Sequence, residues 1–214
     1  MSIWAIIPVK PLNRAKSRLA SVLSANQRYE FATLIYRHVL GVVTNVKQLA
    51  GTVVISRDTK ALAIAREMGA RTIQEGSNSD LNLALRRATE LVRAWRGSAV
   101  LILPADLPFV TEDDIFKMIE MALGAVSVVI ATDPEQDGTN AMLVRPPGLF
   151  DYAYGDGSFR KHMEAALAAR AYVKVYESPT IALDVDVPQD LGRYNQMVTS
   201  GQYSSLTPFL PDLI

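Results

Sequence analysis

Short apolar runs alternate with longer amphipathic segments through the first two thirds of the chain. The apolar runs are rich in β-branched residues, which is typical of strands buried on both faces. Strands are predicted over residues 3–9, 52–56, 71–74, 99–103 and 126–132. Apolar positions at three- and four-residue spacing predict helices over residues 24–46, 59–68, 81–95 and 112–123. This alternation indicates an α/β fold whose mostly parallel sheet carries helices on both faces.

The regular alternation changes after Asp133. Strands are predicted over residues 141–144, 172–176 and 181–183, and helices over residues 158–169 and 188–197. The sheet is therefore expected to be mixed. There is no repeat, low-complexity tract or linker, so residues 1–214 are interpreted as a single domain. The apolar tail, residues 202–214, is expected to pack on its own domain, with a neighbouring subunit as the alternative.

Composition excludes several classes of function. Lysine and arginine number 22, as do aspartate and glutamate, so no basic surplus favours a nucleic-acid binder. Cysteine is absent, which excludes thiol catalysis and iron–sulfur clusters. The apolar runs are far shorter than the roughly 20 residues that span a bilayer, and the first residues lack the charged start of a signal peptide. We therefore expect a cytoplasmic protein without a membrane partner.

Charged residues follow two of the predicted strands. Ligands of open α/β sheets bind beyond the carboxyl ends of the strands. Four cations in nine residues follow the first strand, which suits a polyphosphate, although a solvated loop can have the same composition; they are Lys10, Arg14, Lys16 and Arg18. Asp106 follows the strand at 99–103 between two prolines, where it can hold a metal or a ribose, or cap the next helix.

Asp184 and Asp186 form a second acidic feature near the end of the chain. Residues two apart in an extended chain point to the same side, so both carboxylates can face one site. Like charges held together favour a cation between them, and Mg²⁺ combines few carboxylates with phosphate and water. The alternative is a pair that only caps the following helix. With Asp106 and the basic loop, the pair predicts a site for Mg²⁺ and a nucleotide.

Two further segments are candidates for ligand contacts. Gly155 and Gly157 precede a helix beginning at Ser158, and a helix N-terminus favours anions; the alternative is an ordinary capped turn. His162, one turn further, is expected near the same anion. Asn82 lies near a helix start, where its amide can bind a base or ribose or simply belong to the polar surface.

Six short segments of the chain occur together in a characteristic order. They are Pro-Val-Lys-x5-Ala-Lys-Ser-Arg-Leu (8–19), Leu-Asn-x-Ala-Leu (81–85), Pro-Ala-Asp-Leu-Pro (104–108), Gly-Thr-Asn-Ala (138–141), Gly-x-x-Ser-Phe-x-x-His (155–162) and Asp-x-Asp-x-Pro-x-Asp-Leu (184–191). This order resembles that of a known family, the guanylyltransferases of deazaflavin coenzyme F-420 biosynthesis. Members of that family act on 2-phospho-L-lactate or phosphoenolpyruvate and have a compact nucleotide-diphospho-sugar transferase-like fold.

The resemblance implies a role for each matching residue. The magnesium ligands would be Asp106, Asp184 and Asp186. The residues holding the phosphorylated three-carbon acid would be Lys10, Thr139, Gly155 and Ser158. The GTP side would have Lys16, Arg18 and Asn82, and the catalytic charges would be those of Lys10, Lys16 and Asp106. A homodimer is implied as well.

The chemistry of the residues agrees with GMP transfer. A phosphate monoester has a second pKa of about 6 and is already a nucleophile at neutral pH, so no general base is required. Two alternatives remain open. A transferase for a sugar phosphate or the molybdenum cofactor would have a glycine-rich first loop, which is absent here. A non-catalytic module would bind GTP without releasing pyrophosphate.

Overall fold

The structure, a computed structural model, describes residues 2–76, 80–200 and 209. One seven-stranded sheet runs through this part of the chain. Its strands are β1 (Ile3–Val9), β2 (Leu49–Ser56), β3 (Arg71–Gln74), β4 (Ala99–Ile102), β5 (Ser127–Thr132), β6 (Thr139–Arg145) and β7 (Tyr172–Tyr176). They lie in the order β3-β2-β1-β4-β6-β5-β7. Only β6 runs antiparallel to its neighbours, so the prediction of a mostly parallel, mixed sheet is confirmed.

Helices cover both faces of this sheet. They are α1 (Ala25–Asn45), α2 (Thr59–Glu67), α3 (Leu81–Ala94), α4 (Glu112–Met121), α5 (Ser158–Ala168), α6 (Pro179–Ala182) and α7 (Pro188–Thr199). One apolar core joins the sheet to α1, α2, α4 and α7, and the other joins it to α3 and α5. Strand β1 serves both cores because successive side chains alternate: Ile3, Ala5 and Ile7 face the first core, and Trp4 and Ile6 face the second.

The helix boundaries follow from local chemistry. Ser24 and Gln27 form a capping box at the start of α1, so that the predicted beginning of this helix is confirmed. Gly69, with φ of +83°, follows the end of α2 in the left-handed conformation that glycine adopts at low cost. The hydroxyl of Thr111 accepts the Asp114 backbone N–H and caps α4, as the sequence indicates.

The predicted strand at residues 181–183 is wrong. Residues 179–182 form the short helix α6, because Pro179 sets a helical φ at its first position and the Ser178 side chain caps it. The Asn140 side-chain amide donates to the carbonyls of Ile181 and Ala182, so these groups bond across the fold instead of to a neighbouring strand.

One residue of the apolar tail lies in the described part of the chain. Phe209 packs on the same chain, with its ring centroid 4.8 Å from that of Phe31. The Asn195 side chain donates to the Phe209 carbonyl and accepts its N–H. Residues 201–208 and 210–214 lie outside the described residues, and with them the rest of the tail prediction. No described helix is long and apolar enough to cross a membrane.

Candidate active site

A cavity of about 510 Å³ lies at the carboxyl ends of the four parallel strands β1 to β4. It is bounded by the loop after β1, the start of α3, the segment after β4 and the chain between α6 and α7. Seven of the candidate residues named from the sequence line it: Lys10, Arg14, Lys16, Asp106, Thr139, Asp184 and Asp186. Residues separated by more than 170 positions therefore meet at one edge of the sheet.

The three aspartates meet at one end of this cavity. Carboxylate oxygens of Asp106, Asp184 and Asp186 lie within 4.8 Å of one another. The helix-capping alternatives do not account for them, because other residues cap the neighbouring helices. Thr111 caps α4, and the Asp190 carboxylate accepts the N–H groups of Asp186 and Val187 at the start of α7.

Lys16 lies among these carboxylates. Its ammonium is 3.0 Å from Asp186 Oδ1 and 3.3 Å from Asp106 Oδ2, and the residue is only 9% exposed. Its backbone adopts a left-handed φ of +54°, which is uncommon for a residue with a side chain. Burial by itself lowers the pKa of Lys16, but the charges of Asp106 and Asp186 outweigh burial and raise it, so the ammonium stays protonated.

The environment shifts the pKa values of Asp184 and Asp186 in opposite directions. Burial, followed by the charges of Asp106 and Asp186, raises the pKa of Asp184 to about 6. Burial also acts to raise the pKa of Asp186, but the charge and hydrogen bond of Lys16 outweigh it and lower that pKa. Of these two carboxylates, Asp184 is therefore the one less compensated by cationic side chains.

The donor set fits a magnesium ion. Mg²⁺ binds oxygen at roughly 2.1 Å in octahedral geometry, so its ligand oxygens lie about 3 to 4 Å apart. Three carboxylates grouped within 4.8 Å are close to that spacing. The single buried cation at the cluster, Lys16, leaves an excess of negative charge that a divalent ion would neutralise.

Thr139 lines the same cavity, and its hydroxyl is bonded to His162. The Ala153 backbone N–H donates to His162 Nε2 at 3.0 Å, so Nε2 carries the lone pair. The neutral ring must then hold its proton on Nδ1, which donates to Thr139 Oγ1 at 2.9 Å. The Thr139 hydroxyl hydrogen has no acceptor among the described residues and is available to a ligand.

Ser158 and Gly155 lie behind this part of the wall instead of lining it. Ser158 Oγ accepts the Thr139 backbone N–H at 2.9 Å. The sequence predicts an anion at the backbone N–H groups that begin α5. In the structure, the N–H groups of Ser158 and Phe159 instead donate to the carbonyls of Gly155 and Asp137. Ligand contacts by Gly155 and Ser158 stay predictions; the observed role of Ser158 is to support Thr139.

Asn82 and Arg18 also lie away from the cavity wall. The Asn82 amide accepts the Tyr154 N–H at 2.8 Å and donates to the Tyr154 carbonyl at 3.2 Å. Both ends of this amide are thus engaged in holding Tyr154 at the cavity. Arg18 is exposed, and its charge contributes to lowering the pKa of Asp186. Their assignment to the nucleotide remains a prediction.

Several polar residues of the wall belong to no predicted motif; they include Arg57 and Asp80, and two more, Glu75 and Tyr154, each have a buried side-chain oxygen. Glu75 follows β3, and Tyr154 lies opposite the start of α3. Glu75 Oε1 and the Tyr154 hydroxyl are buried without a hydrogen-bond partner among the described residues. Neither Glu75 nor Tyr154 belongs to a motif. Glu75 was nevertheless predictable as a site residue, because it directly follows a predicted strand and ligands bind beyond the carboxyl ends of strands.

Solved structures with the same fold define the class. A Desulfovibrio desulfuricans protein assigned as a nucleotide-diphospho-sugar transferase has a TM-score of 0.74 at 17% identity, covering 98% of this chain and 93% of its own. A nucleotidyl transferase from Methanothermobacter has a TM-score of 0.67 at 17% identity, covering 94% of this chain and 99% of its own. The chain therefore has a nucleotidyltransferase fold.

Sequence relatives narrow the class to a family. Residues 3–210 match the family described as Guanylyl transferase CofC like. The phosphoenolpyruvate guanylyltransferase of Rubrobacter xylanophilus is 38% identical over 196 residues, covering 90% of this chain and 93% of its own. The 2-phospho-L-lactate guanylyltransferase of Methanothermobacter thermautotrophicus is 33% identical over 192 residues, covering 90% and 83%. The chain belongs to the CofC-like guanylyltransferase family.

Proposed function

We propose that this protein transfers GMP from GTP to the phosphate of phosphoenolpyruvate or 2-phospho-L-lactate and releases pyrophosphate. Family membership supports the activity, and the resemblance noted above places it in the biosynthesis of coenzyme F-420. The observation that carries the proposal is the convergence of Asp106, Asp184 and Asp186 beside Lys16 in one cavity.

The reaction requires two polyanions to approach each other. An oxygen of the acceptor phosphate attacks the α-phosphorus of GTP, the bond from this phosphorus to the bridging oxygen breaks, and pyrophosphate leaves with the electron pair. The acceptor phosphate is a dianion near neutral pH, so the protein need not remove a proton. Its task is to orient the two substrates and neutralise charge.

The charged side chains divide this task. Lys16, held by Asp106 and Asp186, places a fixed positive charge at the end of the cavity where the phosphates would meet. Lys10 is exposed on the same wall and is free to approach an incoming anion. Thr139, with its hydroxyl oriented by His162, would donate a hydrogen bond to the phosphorylated acid.

Mg²⁺ is the cofactor that the donor set suits best, and Asp106, Asp184 and Asp186 would hold it. When bound, Mg²⁺ stabilises negative charge on the phosphates during transfer. Within the 184–186 pair, Asp184 would gain more from a divalent ion, because its pKa of about 6 reflects burial first and then the negative charges of Asp106 and Asp186, which a cation would offset. A homodimeric assembly is a further expectation from the resemblance, and a cytoplasmic location is an expectation from the sequence itself; sedimentation and cell fractionation test them.

A pyrophosphate-release assay tests the activity. Purified protein is incubated with GTP and Mg²⁺, and with phosphoenolpyruvate, 2-phospho-L-lactate or a sugar phosphate as acceptor. We expect release with one or both three-carbon acids and background release with the sugar phosphate. GTP binding without release in every mixture would instead support the non-catalytic alternative.

Neutral variants of the acidic cluster connect this activity to the site. Asp184→Asn and Asp186→Asn should lower turnover at least about 100-fold, because each removes a charge from the metal site. Asp113→Asn, which alters an exposed carboxylate on α4 outside the cavity, serves as the control. Near-normal turnover in both cluster variants, with an unchanged circular dichroism spectrum, would contradict the metal assignment.

A further inference from the structure

Glu75 is a carboxylate in the cavity wall without a structural partner. Its backbone N–H donates to the Ser56 carbonyl, which fixes the residue at the end of β3. Its side chain lines the cavity, and Oε1 is buried without a hydrogen bond among the described residues. A buried acceptor without a donor is uncommon in proteins and requires an explanation. Because this acceptor belongs to the wall of a ligand cavity, a ligand is the natural source of the donor.

The order of the strands places Glu75 at a distance from the acidic cluster that suits a nucleotide. Neighbouring strands are about 4.8 Å apart, and β3 lies three strands from β4, so the ends of these strands are roughly 14 Å apart. Asp106 follows β4, and Glu75 follows β3. A nucleotide with its phosphates at the aspartates would extend across the ends of β1 and β2, with its base towards β3. This step rests on the proposed function.

The residues of the cavity wall support the same orientation of the nucleotide, with its base towards β3. The acidic end of the cavity holds the three aspartates and Lys16, whereas its β3 end combines Glu75, Arg57 and Asp80 with the apolar surfaces of Leu81 and Ala84. Arg57 and Asp80 already have partners, whereas Glu75 Oε1 has none among the described residues. Apolar surface suits the faces of a base, and an unpartnered carboxylate suits donor groups on its edge.

We propose that Glu75 selects guanine in the nucleotide substrate. A carboxylate only accepts hydrogen bonds and can accept two in parallel. Guanine presents two adjacent donors, N1–H and the 2-amino group, which match the two oxygens of Glu75. Adenine presents an amino donor beside the N1 acceptor, and this acceptor would face a carboxylate oxygen without a hydrogen between them. The carboxylate thus favours guanine by attraction and disfavours adenine by repulsion.

The test compares nucleotides in Glu75→Gln and Glu75→Ala. A glutamine amide has one acceptor and one donor, which is the complement of the adenine edge, whereas alanine has neither. In kcat/KM, Glu75→Gln should lower the preference for GTP over ATP at least about 100-fold, partly through a gain with ATP. Glu75→Ala should lose activity with GTP without gaining activity with ATP. The base of ITP lacks the 2-amino group, so kcat/KM with ITP should fall less than kcat/KM with GTP in both variants.

The effect should appear mainly in KM, because the base contacts the protein equally before and during transfer. Glu135→Gln is the matched control: it removes the same charge at an exposed position outside the cavity. A GTP-to-ATP preference within about threefold of wild type in Glu75→Gln would overturn the inference. An equal loss for GTP, ITP and ATP would overturn it as well, since that pattern has no base selectivity.

Equilibrium binding separates this inference from the proposed function. Dissociation constants for GTP, ITP and ATP are measured for all variants by calorimetry without an acceptor. If the wild type releases no pyrophosphate with any acceptor, the proposed function fails, but a GTP preference in binding that disappears in Glu75→Gln still supports the guanine assignment. If turnover is normal and binding selectivity survives in Glu75→Gln, only the guanine assignment fails.

Discussion

Protonation of His162 should determine part of the pH dependence of stability. The side chain is completely buried, Nε2 accepts a backbone N–H from Ala153, and Nδ1 donates to Thr139. A second proton would have to bind Nε2 and break the bond from Ala153. Burial, and to a smaller extent the charge of Lys161, lowers the pKa of His162 to about 4.

The size and sign of this effect follow from linkage. The unfolded chain protonates histidine near pH 6.5, so between that value and pH 4 it binds more protons than the folded protein, and the free energy of unfolding falls as the pH falls. With these two pKa values, His162 should reduce the free energy of unfolding by about 2 kcal/mol between pH 8 and pH 5. Below pH 4 the loss levels off.

The assay compares wild type with His162→Asn. Asparagine can retain a donor towards Thr139 but does not titrate. Urea unfolding, followed by tryptophan fluorescence at pH 8, 7, 6 and 5, should show the two free energies converging by about 2 kcal/mol towards acid pH. Other titrating groups occur in both proteins and cancel in the difference. His38→Asn, which retains His162, should keep the acid-dependent loss.

Parallel curves for wild type and His162→Asn would refute the neutral-ring interpretation. They would mean that His162 has the same affinity for protons in the folded and unfolded states. The inference that His162 Nδ1–H donates a hydrogen bond to Thr139 would then be unsupported as well.

Two further predictions concern Tyr154 and Asp114. Tyr154→Phe removes a hydroxyl with no described partner, so the free energy of unfolding should be unchanged or rise by about 1 kcal/mol. The control Tyr152→Phe breaks a 2.7 Å bond to Thr89 and should lower stability by about 1 kcal/mol; a larger loss in Tyr154→Phe would show that the Tyr154 hydroxyl does have a stabilising partner. Asp114→Ala leaves the hydroxyls of Tyr176, Ser178 and Thr180 without their acceptor, which should cost about 3 kcal/mol in urea unfolding. Its control, Asp113→Ala, removes only an exposed ion pair with Lys117 and should change the free energy of unfolding little; equal losses would refute the buried-network interpretation.

Local patterns predicted much of the fold. The strand at residues 3–9 coincides with β1, and the helix predicted over residues 24–46 differs from α1 by one residue at each end. These elements were predictable because burial on two faces and the 3.6-residue helical period leave their pattern in neighbouring residues. Asp106 was recognisable for a similar reason, since its position directly follows a buried strand. The pair at 184 and 186 was recognisable from its spacing, although the preceding residues form α6 instead of a strand.

Other features depend on contacts between distant parts of the chain. The antiparallel direction of β6 has no local pattern, because its side chains are buried whichever way it runs. Asn82 is engaged by the backbone of a residue 72 positions later. Glu75 belongs to the cavity because β2 and β3 lie beside β1, on the side opposite β4. The amino-acid pattern specifies which segments are buried and where they end; the pairing of strands, which depends on packing between remote segments, decides which of those ends meet.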